Sequence, residues 1–139
     1  MVGLVVATHG KLAEELIRTA EGIVGHLDQC EVVSVGATSS MEEARARFAE
    51  AVHRVDSGDG VLVLTDMFGG TPANLALTFL DEKVEVITGV NLPMILKLST
   101  ARAESLALRA AAELVTSHGQ KNITLASELL RSRARTSRT

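Results

Sequence analysis

The sequence predicts an α/β domain built in three layers: a mostly parallel, twisted sheet of about four strands, with helices on both faces and a possible antiparallel edge strand. Two observations carry this expectation. Short runs rich in β-branched residues alternate with longer stretches of helical period, the pattern of successive βα units. The first strand candidate, residues 3–8, is also continuously apolar until its end, as expected of a central strand covered on both faces. With 139 residues and 46% hydrophobic content, the chain can bury one core and is short for two.

Residues 3–8, GLVVAT, form the first expected strand. The helix that follows, over residues 11–24, puts Leu12, Leu16, Ala20 and Ile23 on one stripe, with Glu14, Glu15, Arg18 and Glu21 on the other, and Gly25 ends it. A second strand covers about residues 31–35. Ser39 or Ser40 then caps a helix whose positive end is met by Glu42 and Glu43, and the SGDG turn closes it near Asp56. Residues 61–65, VLVLT, are the clearest strand. They run into DMFGGTP, where two glycines and a proline force a tight loop before a helix beginning near Pro72. Residues 84–88 make the fourth strand, after which GVNLP opens a helix at Pro93. An Ala- and Leu-rich helix over about residues 103–118 comes next, and residues 122–125 are the candidate antiparallel edge strand. One domain therefore spans residues 1–126. The remainder, residues 127–139, carries Arg131, Arg133, Arg135 and Arg138 among Ser, Thr and Ala, too polar to bury surface that would offset the entropy of ordering, and is expected to be disordered.

Composition excludes several function classes. A net charge of −3 lacks the basic footprint of a nucleic-acid binder. Trp and Tyr are absent and the three Phe are the only aromatics, so surfaces for stacking bases or sugars are poorly supplied. Cys30 is the single cysteine; it can form neither an internal disulfide nor a zinc cluster, which fits a reducing compartment, the cytoplasm. The opening apolar run is too short for a signal peptide or a membrane span. No P-loop lysine and no GxGxxG fingerprint accompany the glycine-rich loop, so ATP and NAD have little support, and no metal or cofactor is expected.

In open α/β sheets the site lies at the carboxyl ends of the strands. There the sequence places Thr8-His9-Gly10, then Thr65-Asp66 with the glycine loop, then Gly89-Val90-Asn91. If the first and third strands are neighbours, His9 and Asp66 converge. A carboxylate accepting from one ring N–H fixes the tautomer of an imidazole and leaves the other nitrogen's lone pair free to attack. The positive end of the helix after His9 would oppose an imidazolium and favour a bound phosphate. Gly69, Gly70 and Thr71 can bring backbone N–H groups and a hydroxyl to an anion. Met67, Phe68 and Met94 lie beside this site and are candidates for an apolar partner surface. His26, His53 and His118 lack such company and read as structural or exposed.

ATHG, TDMFGGTP and TGVNLPM, in this order and spacing, resemble the enzyme IIA domain of the mannose family of the sugar phosphotransferase system, over about residues 1–126. The resemblance implies that His9 accepts a phosphoryl group from HPr and donates it to an enzyme IIB protein, with Asp66 orienting the imidazole and Thr8, Gly70 and Thr71 around the phosphate. It implies a mostly parallel sheet with an antiparallel edge strand, a homodimer, and an association with the membrane only through a permease complex. The sugar is not implied. Two other readings stay open: a regulatory module whose phosphorylation state controls partner binding without transport, and a small hydrolase using the His/Asp pair, which lacks an adjacent Ser or Cys nucleophile. The related subunit serving dihydroxyacetone kinase matches the GGTP and NLPM segments less well.

Overall fold

The computed structural model describes residues 1–36 and 40–137, without the side chains of residues 136 and 137. Four strands form one sheet: β1 (Gly3–His9), β2 (Cys30–Val35), β3 (Val61–Thr65) and β4 (Val84–Thr88). Six helices connect or follow them: α1 (Leu12–Val24), α2 (Met41–Val55), α3 (Thr71–Leu77), α4 (Leu92–Ala103), α5 (Leu108–Lys121) and α6 (Ala126–Ser137). Strand order is β2-β1-β3-β4 and every pairing is parallel. After β1 the chain steps outward to β2, then returns across β1 to place β3 on its other side. The crevice between the carboxyl ends of β1 and β3 is therefore the point where the winding reverses, the preferred ligand position in such sheets.

Residue parity along the strands sorts the core into two layers. Leu4, Val6, Leu62 and Leu64 pack with Ala13 and Ala20 of α1, Ile95 and Leu98 of α4, and Ala111 and Val115 of α5. Val5, Ala7, Val61 and Val63 face the other way, onto Phe48 and Ala51 of α2 and Leu75 and Ala76 of α3. This is the expected three-layer arrangement. Residues 122–125 do not return to the sheet, and among the described residues the only antiparallel bridge is the isolated Asp81–Val84 pair. The expected antiparallel edge strand is thus not present in this chain's sheet, and Ile123 and Leu125, which suggested it, are exposed.

Three further expectations are corrected. The buried stripe of α1 is Ala13 and Ala20, with Leu16 and Ile17 partly covered, while Leu12 and Ile23 are exposed; small residues let the helix approach the sheet closely, which rotates the larger ones outward. The helix expected over residues 103–118 is shifted along the chain: α4, the helix expected from Pro93, runs on to Ala103, and α5 starts only at Leu108, after a turn in which Ser105 has φ +57°. The tail, expected to be disordered, forms α6 from residue 126. Its Ala, Glu, Leu and Arg content supplies helix propensity, and its described side chains are all exposed. Ser40 caps α2 by accepting from the Glu43 N–H at 3.1 Å; the alternative cap Ser39, and Arg138 of the tail, lie outside the described residues. No helix among the described residues is long and apolar enough to cross a membrane.

Candidate functional site

His9 is the last residue of β1 and the first to leave the sheet's cover. Gly10, with φ +55°, then turns the chain into α1, a conformation that favours glycine. One strand away, β3 ends at Thr65, so Asp66 emerges beside His9. The His9 Nδ1 lies 2.8 Å from Asp66 Oδ2, and the His9 backbone N–H donates to the same oxygen at 3.2 Å. The other carboxylate oxygen accepts from the Met67 N–H at 3.1 Å. Asp66 is thereby fixed on both oxygens.

The two side chains are unequally exposed, 49% for His9 and 14% for Asp66. Burial works to push the Asp66 carboxyl up, but the hydrogen bonds from the His9 ring and from the main chain outweigh it and hold the group below its ordinary value. An ionised carboxylate only accepts, so Nδ1 is the donor of this contact, and in the neutral ring Nε2 then carries the lone pair. The contact to Asp66 orients the ring and leaves Nε2 as its outer nitrogen.

Next to the ring lies the glycine loop. Gly70, the N-cap of α3, is so close to His9 that an added Cβ would sit 2.6 Å from Cε1 and 3.2 Å from Nε2. Thr71, half-buried, and Pro72 begin the helix. Among the described residues no side chain caps this first turn, so the N–H groups it has are not taken up by a cap.

The remaining predicted residues divide. Met67 and Phe68 are 55% and 73% exposed on the loop beside His9. Met94 is buried at 3%, lying where Gly119 of α5 leaves room, so close that an added Cβ there would sit 2.5 Å from its Cγ. It belongs to the α4–α5 contact and not to the surface. Thr8 is fully buried; its hydroxyl donates to the His9 carbonyl at 3.1 Å and accepts from the Ala13 N–H at 2.7 Å. That hydroxyl fixes the start of α1 behind His9 and is withdrawn from the candidate phosphate ligands. Asn91 caps α4, accepting from the Met94 N–H at 3.2 Å and donating to the Gly119 carbonyl at 3.1 Å. Leu12, in the first turn of α1 and 46% exposed, was missed as a surface residue; its helical spacing marked it as core, and only the burial of its small neighbour Ala13 reveals otherwise.

Comparison with known proteins gives a consistent answer. The family model described as "PTS system fructose IIA component" matches residues 3–121. The "PTS system mannose-specific EIIAB component" of Escherichia coli is 33% identical over 103 residues, 73% of this chain and 32% of that protein, so the matched segment spans about a third of the relative's length. The "PTS system fructose-specific EIIA component" of Bacillus subtilis is 27% identical over 94% of this chain and 90% of its own. Among solved structures, the mannose/sorbose-specific IIA subunit from Enterococcus faecalis superposes with a TM-score of 0.80 at 28% identity, covering 89% of this chain and 93% of its own.

Proposed function

The chain belongs to the PTS fructose IIA component family, and from that premise we propose that it is a phosphocarrier whose His9 accepts a phosphoryl group from phospho-HPr and donates it to an enzyme IIB protein. The observation that carries the reading is the 2.8 Å contact between His9 Nδ1 and Asp66, with Nε2 left outward beside Gly70. In the forward step the Nε2 lone pair attacks the phosphorus of the donor phosphohistidine. The new N–P bond forms as the donor's N–P bond breaks, and the bonding pair returns to the donor imidazole. The proton on Nδ1 stays toward Asp66, which offsets the positive charge the ring takes on when its second nitrogen is substituted. Transfer to the acceptor reverses the same events.

The first-turn N–H groups of α3, with Gly70 and Thr71, would hold the phosphoryl oxygens. Positioning and anion stabilisation account for most catalysis of phosphoryl transfer, and the loop supplies both. Met67 and Phe68, with Leu12, would meet the partner proteins: each is large, apolar and exposed on the rim around His9. Ile123, Leu125 and Leu130 are also exposed, beyond α5, which supports self-association into a homodimer, measurable by analytical ultracentrifugation. A cytoplasmic setting follows from partners of this kind.

The test is incubation of the pure protein with phosphoenolpyruvate, enzyme I and HPr, read by intact mass and acid lability. An acid-labile adduct of one phosphoryl group is expected on the native protein and none on His9→Ala. An adduct that persists in His9→Ala would overturn the site, and no adduct with any of several HPr donors would overturn the phosphocarrier reading.

A further inference from the structure

Gly69 and Gly70 adjoin in sequence but are glycines for different reasons. Gly69 has φ +88°, and an added Cβ there would meet nothing within 4 Å. Its requirement is conformational. Gly70 has φ −85° and ψ 168°, ordinary extended backbone open to any residue. Its requirement must lie in space, and the space is specific. The nearest atoms to an added Cβ are His9 Cε1 at 2.6 Å and His9 Nε2 at 3.2 Å; the next, Met67 Cγ, is at 3.5 Å, ordinary van der Waals distance. The conflict is with the His9 ring alone.

We propose that Gly70 is a positioning residue for His9: its bare α-carbon is the seat that lets the imidazole lie flat enough to reach Asp66 while Nε2 stays at the start of α3. The ring is held from two sides. Asp66 holds Nδ1 by a hydrogen bond, and Gly70 admits the adjoining Cε1–Nε2 edge. With half its surface exposed, the ring has nowhere to go on meeting a methyl at position 70 except outward, and moving outward lengthens the Asp66 contact. The tautomer is then no longer fixed, and an Nε2 nucleophile becomes a mixture in which Nε2 is protonated part of the time. A displacement of about 1 Å at a reacting atom costs about a hundredfold in rate, so the missing side chain would govern catalysis through the position of the ring, beside any contact the Gly70 backbone makes to the phosphoryl group. The link to catalysis rests on the phosphocarrier reading; the seating of the ring does not.

Gly70→Ala tests both parts, with Gly22→Ala, on an open helix surface, as the control. Expected for Gly70→Ala are ring ¹⁵N shifts of His9 moved toward a tautomer mixture, and phosphorylation by phospho-HPr slowed at least tenfold. A thermal shift of a few degrees should also appear in the native background and vanish when the substitution is made in His9→Ala. The cycle guards against a folding artefact: loss of fold in the native background with rescue by His9→Ala supports the seat, whereas equal destabilisation in both backgrounds overturns it. Native ¹⁵N shifts and native rate in Gly70→Ala would overturn it equally. If the native protein takes no phosphate from HPr, the function fails while the ¹⁵N shifts and the cycle still decide the seat.

Discussion

The two ends of the sheet are built to opposite purposes. At the carboxyl ends of β1 and β3, a half-exposed His9 is oriented by one carboxylate and bordered by a loop with two glycines. At the amino ends, Arg102 from the last turn of α4 is buried at 8% exposure. It donates to the carbonyls of Val2 and Gln29 at 3.3 Å each and of Asp28 at 2.7 Å, so one guanidinium ties the segments that lead into β1 and β2. The difference teaches where the fold spends polar groups. The amino end uses a charge to lock backbone, whereas the carboxyl end leaves an imidazole nitrogen half-exposed outside the lock.

The largest effect on stability should therefore come from the end remote from the site. Arg102→Met keeps the length and apolar stem but removes all three bonds, leaving the Gln29 carbonyl only the Leu4 N–H. Such losses cost about 3 kcal/mol, or about 10 °C in a domain of this size. At a temperature where the variant remains folded, phosphorylation of His9 should run at the native rate. Thermal melts and the phosphoryl-transfer assay on one preparation would show whether the ends are separable; a slowed transfer at full folding would break the comparison.

Asp66→Ala should do the reverse, preserving the fold while slowing phosphorylation about a hundredfold, since the ring loses its fixed orientation. A pH dependence accompanies it. The folded-state pKa of Asp66 lies below its ordinary value, so the carboxylate's stabilisation is fully present above the unfolded value of about 4 and is lost as pH falls through the folded one. Melting temperatures of the native protein and Asp66→Ala, compared from pH 7 down to pH 2, should converge at the acid end. A gap that stays constant with pH would show that the His9–Asp66 contact contributes nothing to folding.

Much of the fold and the chemical pair at the site was legible in the sequence. The bounds of β3 match the expected run because a central strand covered on both faces has no polar interruption to blur it, and those of the edge strand β4 match although Glu85 interrupts it. His9 and Asp66 were legible because the strand ends in such a sheet are few and only these carried complementary groups. What stayed hidden depended on contacts between distant residues. Nothing in Glu104-Ser105-Leu106-Ala107 forbids a helix, yet the chain breaks there as Arg102 engages the strand entries and Leu108 joins the core. Met94 looked like surface since the room made for it is Gly119, 25 positions later. Cys30 is a case between the two: burial pushes its thiol up to about 12, an inertness that a lone cysteine at the start of a strand only hints at.

The smallest expected effects sharpen the comparison inside the reactive end itself, where two fully buried threonines close adjacent strands. Thr8 sits on the α1 side with its hydroxyl engaged twice, whereas Thr65 sits in the next strand with an Oγ1 that has no hydrogen-bond partner among the described residues. Replacing each by Val leaves shape nearly unchanged and removes only the hydroxyl. For Thr8→Val the Ala13 N–H at the start of α1 loses its acceptor, which costs about 1 to 2 kcal/mol, and the turn carrying His9 loosens with it. For Thr65→Val no bond is broken and a desolvated hydroxyl is exchanged for a methyl, so stability should be unchanged or rise by about 0.5 kcal/mol. Denaturant melts of the two variants resolve that contrast. A Thr65→Val protein less stable by the same margin as Thr8→Val would mean that the Thr65 hydroxyl holds a partner of its own, a bound water being the smallest that fits, and the reactive end would then be more tightly tied than its exposed histidine implies.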